Sequence, residues 1–198
     1  HTSFRIGGPA RRMAFPESRE QLVILLGLGL VVSSVVGLFE RVVTHLTVII
    51  CFQSLVLDMA GNVGTQSLAV TIRVLMDKEI TARKKLGLVC KEMRVGLFSG
   101  LILGSLSVLF VGAYIMLGKG YPAQYAFAVS ACIGAALLLA MFISSAVGTL
   151  IPMFFKRIGV DPAVASGPLI TTVNDLVAVV TYYGLSWLLL LQALHLGS

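Results

Sequence analysis

From Val95 to Leu117 the chain carries no acidic or basic residue, and it approaches the same blandness in four other places. A bilayer core of ~30 Å takes ~20 helical residues to cross. The stretches Gln21–Phe39, Thr44–Met76, Val95–Leu117, Tyr125–Phe155 and Pro168–Leu194 all approach or exceed that length. Of the 198 residues 57% are hydrophobic and only 12% charged, which excludes a soluble domain. The pattern predicts an all-α membrane protein with five transmembrane helices in residues 21–198, preceded by a polar lead-in over residues 1–20. The expected place is the cell membrane, crossed several times and surrounded by lipid.

The net charge of +6 belongs to topology and not to nucleic acid. Arg5, Arg11, Arg12 and Arg19 precede the first segment. Arg73, Lys78, Arg83, Lys84, Lys85, Lys91 and Arg94 surround the connection between the second and third, and Lys156 and Arg157 lie between the fourth and fifth. Only Arg41 and Lys119 fall on the opposite side, so the positive-inside rule predicts a cytoplasmic N-terminus and a C-terminus outside. Cys51, Cys90 and Cys132 form no C-x-x-C pair, and His1, His45 and His195 form no cluster, so neither a disulfide framework nor a His-based metal site is expected.

Against that apolar background Asp175 stands out. A carboxylate at bilayer depth costs at least ~2.5–3.5 kcal/mol on insertion scales and persists where it meets a partner, a water-filled cavity or an ion. Just upstream, Ser166-Gly167-Pro168 interrupts any smooth helix, since Pro168 lacks an N–H, and frees carbonyls that suit hard cations. Thr171, Asn174 and Asp175 stand at i, i+3 and i+4 on one helical face, with Thr172 beside them. These are oxygen donors only, the set that suits Mg2+ or Ca2+ and not softer metals. The structural alternative is that Asp175 hydrogen-bonds a neighbouring helix to fix packing.

The second segment, Thr44–Met76, would be ~50 Å long as one helix, so it must protrude, tilt or break. The expected break is Asp58-Met-Ala-Gly-Asn-Val-Gly64. At helical spacing Asp58, Gly61, Thr65 and Ala69 make a small, oxygen-rich stripe suited to a pore wall, with Asp58 attracting cations. Asn62 and Gln66 form the adjacent stripe and read as interhelical hydrogen-bonding residues. Further on, Asp77–Arg94 reads as an amphipathic helix along the head groups. Gly96, Gly100 and Gly104 predict close approach of another helix. Asp161-Pro162 is a helix start, where Asp161 either caps or draws a cation toward Asp175.

Two motifs, Asp-Met-Ala-Gly-Asn-Val-Gly-Thr-Gln from Asp58 and Asp-Pro-Ala-x-x-x-Gly-Pro-Leu-x-x-Thr-x-x-Asp from Asp161, resemble the MgtE family of magnesium channels. The resemblance implies a parallel homodimer of five-helix subunits, with an ion path on the two-fold axis lined by the second and fifth helices. It also implies that Asp175 is the central ion-selecting carboxylate, with the Thr171 carbonyl, Gly61 and Thr65 facing the same path. Mg2+ is then the transported ion, and since one subunit supplies one central carboxylate, the chemistry favours a dimer. Two departures qualify the likeness: the family usually has glycine at Asp58 and a proline near Ser54. Members also usually carry a magnesium-sensing N-domain and CBS modules ahead of the first helix, so gating by intracellular magnesium does not carry over with the resemblance. Competing classes are a proton-coupled transporter with Asp58 and Asp175 as relays, an intramembrane aspartyl hydrolase, which lacks a Gly-x-Gly-Asp context, and a non-transporting scaffold. The expectation is transport and not enzymatic catalysis.

Overall fold

The computed structural model describes residues 14–39, 47–76, 80–165 and 168–195. All regular structure there is helical: α1 (Ala14–Leu38), α2 (Thr47–Leu75), α3 (Ala82–Lys119), α4 (Ala123–Arg157), a short 3-10 helix (Pro162–Ala165) and α5 (Pro168–His195). Among the described residues four helices, α2 to α5, are long and apolar enough to cross a membrane. The apolar part of α1, Leu22–Leu38, is shorter. Its helix nevertheless begins at Ala14, inside the expected lead-in.

The most buried of these helices is α4, which packs along α3, α2 and α5, while α1 lies against α5. Glycine makes the tightest of these contacts possible. A Cβ on Gly104 would stand 2.8 Å from the Gly134 carbonyl oxygen, and one on Gly100 would stand 3.0 Å from Leu138 Cα. The four-residue spacing of α3 therefore meets α4 backbone to backbone, as the sequence predicts, and these residue pairs run antiparallel.

Two expectations are corrected. No break occurs at Asp58–Gly64, because α2 is one continuous helix through both glycines. Gly64 is instead a contact point: its carbonyl oxygen lies 2.2 Å from where a Gly148 Cβ would be, so the two helices touch through bare backbone. Nor is there a separate helix along the head groups. Residues 82–94 are the first turns of α3, whose 38 residues extend ~57 Å, well beyond one bilayer core. Two positions there serve packing: Leu88 and Glu92 are buried, and Ser67 Oγ donates to Glu92 Oε2 at 3.0 Å, whereas Leu86 stays exposed. Residues 77–79 lie outside the described residues, as do Ser166 and Gly167 of the expected interruption. Pro168 opens α5, where its missing N–H costs nothing.

Helices α2 and α5 run antiparallel. At one end Tyr182 Oη donates to the Ile49 carbonyl at 2.7 Å and Tyr183 Oη donates to Gln53 Oε1. Phe39, just past the end of α1, stacks on Tyr183 with ring centroids 5.8 Å apart. At the other end Asn174 packs against Gly64. There too the Lys156 ammonium donates to the Leu75 carbonyl, a cation at the negative end of the α2 dipole.

Candidate functional site

Alongside the contacts that hold α5 to α2, the two helices leave a groove of about 420 Å3 open to the outside of the helix bundle. From α2 it is lined by Ser54, Leu57, Asp58, Gly61, Asn62 and Thr65, and from α5 by Thr171 and Asp175. These α2 positions are successive turns of one broad helical arc. Antiparallel pairing sets Thr171 and Asp175 beside the same turns of α2.

Chemically the lining is uniform. Its polar groups are two carboxylates, two threonine hydroxyls, one serine hydroxyl and one amide, with no basic side chain, imidazole or sulfur. The Thr65 hydroxyl sits 2.9 Å from the Gly61 carbonyl and 3.0 Å from that of Asn62, and it donates within its own helix. What Thr65 Oγ1 offers a ligand is therefore lone pairs. At Gly61 an added Cβ would meet nothing within 4 Å, so the groove is open beside that residue. The donor set suits a hard cation.

Among the described residues no group of three or more His, Cys, Asp or Glu is placed to hold a metal ion. Two acidic side chains with hydroxyls around them suit an ion that keeps much of its water.

The sequence-derived candidates separate into two groups. Asp58, Gly61, Thr65, Thr171 and Asp175 line the groove together. Asn174 does not: it is fully buried beside the groove, turned into the α2–α5 contact with its amide against Gly64. Thr172 is also outside the lining. Asp161 is exposed, and its Oδ1 accepts from the Ala163 backbone N–H at 2.9 Å, the capping geometry at the start of the 3-10 helix. Two polar lining residues are not among the candidates drawn from the sequence. Ser54 sits one turn before Asp58, so extending the stripe by four residues finds it. Asn62, read as a packing residue, is exposed in the groove, because the open arc of α2 is wider than a single stripe.

Comparison with known proteins bears on the same region. Residues 53–185, which include the whole groove, match the family model MgtE, described as a divalent cation transporter. Three curated relatives carry the name magnesium transporter MgtE. That of Enterococcus faecalis is 36% identical over 165 residues, covering 83% of this chain and 34% of its own. The Bacillus subtilis protein is 35% identical over 169 residues, covering 83% and 35%. The Thermus thermophilus protein is 35% identical over 169 residues, covering 85% and 35%. This chain thus spans about a third of the length of the curated relatives it matches.

Proposed function

The chain belongs to the MgtE family of divalent cation transporters, and from that premise we propose that it carries Mg2+ across the membrane along the α2–α5 groove, between two copies of itself. One observation carries the reading: two carboxylates and their companion oxygens lie on the open flank of helices that are otherwise apolar. Left facing lipid, each acidic side chain costs several kcal/mol, so that flank requires a polar cover. A second copy supplies one. Paired across a two-fold axis, two grooves make a closed passage with a ring of carboxylates, hydroxyls and carbonyls.

The chemistry of the passage follows from the ion. Mg2+ releases its water reluctantly, so a fast path contacts the hydration shell through oxygen acceptors. Asp175 from each copy supplies charge near the middle, and repulsion between the two is relieved when a divalent cation lies between them. Asp58 adds a second pair of charges along the path. Thr65, the Gly61 turn and Thr171 supply neutral acceptors, and Asp161 stands at the basic end, where Arg73, Lys156 and Arg157 also gather. That end is cytoplasmic by the positive-inside rule.

The direct test is Asp175→Asn in purified protein reconstituted into lipid vesicles. The amide keeps the size of the side chain and removes its charge. An attraction of about 3 kcal/mol is lost, which corresponds to roughly a hundredfold fall in Mg2+ flux. The variant should elute at the position of the parent on size exclusion. Flux equal to the parent would remove Asp175 from the path.

A further inference from the structure

The two sides of the groove belong to different helices, so its width is fixed by whatever holds α2 and α5 apart. We propose that Asn174 and Gly64 form that spacer, Asn174 acting as a positioning residue by its shape and not as a ligand. The proposal rests on the reading of the groove as the ion path.

Asn174 is 0% exposed, and neither its Oδ1 nor its Nδ2 has a hydrogen-bond partner. An amide so placed has lost its solvation and gained no hydrogen bond in return, so it is not there to bond. It is instead pressed against the one residue that leaves it room. A Cβ on Gly64 would fall 2.1 Å from Asn174 Nδ2, 2.6 Å from Cγ and 2.8 Å from Oδ1. All the terminal heavy atoms of the side chain would collide with it, and complete burial leaves the amide no open side to swing into.

The opposite side of Gly64 is equally closed. Its carbonyl oxygen lies 2.2 Å from a Cβ built on Gly148 of α4, so α2 cannot retreat that way. Nor is α4 free to give, because α3 holds it one turn earlier, where a Cβ on Gly96 would fall 2.4 Å from Ser145 Oγ and 3.0 Å from the Met141 carbonyl oxygen. Any added volume between Gly64 and Asn174 must therefore move α5. The far end of α5 is tied to α2 by the Tyr182 bond to Ile49, so α5 would tilt about that tie. The displacement is then largest near Thr171 and Asp175, the groove's α5 wall. The spacer neighbours both walls: Asn174 precedes Asp175 on α5, and Gly64 precedes Thr65 on α2.

The experiment is a size exchange. Gly64→Ala, Asn174→Ala and the double variant are reconstituted into vesicles, and Mg2+ and Ca2+ fluxes are measured beside size exclusion and thermal melting. Gly64→Ala should lower the Mg2+:Ca2+ flux ratio by about tenfold. The double variant restores nearly the original summed volume and should return the ratio most of the way to the parent value. A double variant as impaired as Gly64→Ala would overturn the proposal, since a ligating amide, unlike a spacer, cannot be replaced by methyl groups. An unchanged ratio in Gly64→Ala would overturn it equally. If Gly64→Ala does not fold, Asn174→Ala alone decides: the gap it leaves should shift the ratio while the protein elutes normally, and a parental ratio rejects the spacer. A parent protein without Mg2+ flux would instead count against the ion-path reading.

Discussion

The molecule contains two antiparallel helix pairs built from similar residues to opposite ends. Between α3 and α4 the small residues Gly96, Gly100, Gly104 and Gly134 bring backbones together until no space remains. Between α2 and α5 the small residues are Gly61 and Gly64, and only Gly64 is filled by its neighbour, while Gly61 faces open space. Small residues alone therefore do not say whether a seam closes or opens. What separates the two pairs is the size of the residue opposite and the presence of carboxylates: Leu138 and Gly134 face the α3 glycines, whereas Asp58 and Asp175 flank Gly61.

The sharpest way to break this comparison is the same substitution made in both seams. Gly104→Ala forces a methyl toward a backbone carbonyl that cannot turn aside, so it should destabilise the protein by about 1–3 kcal/mol. Gly61→Ala places its methyl in the open and gains helix propensity of up to ~1 kcal/mol, so its melting temperature in detergent should equal or exceed the parent's. Equal melting temperatures for the two variants would erase the distinction between a sealed pair and an open one.

A smaller effect is expected at Asp58. It is exposed at the groove surface, and its charge acts through solvent. Asp58→Gly should weaken apparent Mg2+ affinity by about 1 kcal/mol, or roughly fivefold, with maximal flux little changed. Competition of Ca2+ against Mg2+ flux measures this, and an unaltered competition curve would return Asp58 to a structural role.

These pairs also differ in how far the sequence revealed them. Four-residue glycine spacing announced the α3–α4 contact, because the period of a helix leaves no other face for those residues. Asp58 and Asp175 were legible because a charge in an apolar run needs a reason. The continuity of α2 was not legible: a glycine that breaks a helix and one that admits a neighbour look alike until the neighbour is known, and for Gly64 the neighbours are Asn174 and Gly148. Asn174 shares a helical face with Thr171 and Asp175 by spacing, yet that face spans the boundary between groove and core. The first turns of α3 mixed charged and apolar residues in a pattern common to a helix lying on a membrane and one standing out of it. The buried contact of Glu92 with Ser67 distinguishes the two, and it is a tertiary fact.

The central claim is that two copies meet across the α2–α5 groove with an ion between them. It is tested most directly by Thr65→Cys in a background with Cys51, Cys90 and Cys132 replaced by serine, oxidised in membranes with and without Mg2+. The account predicts a disulfide-linked dimer from Thr65→Cys that forms more slowly when Mg2+ occupies the path, and none from Phe110→Cys on the exposed flank of α3. Crosslinking through Phe110→Cys with none through Thr65→Cys would place the contact between copies elsewhere and contradict the account.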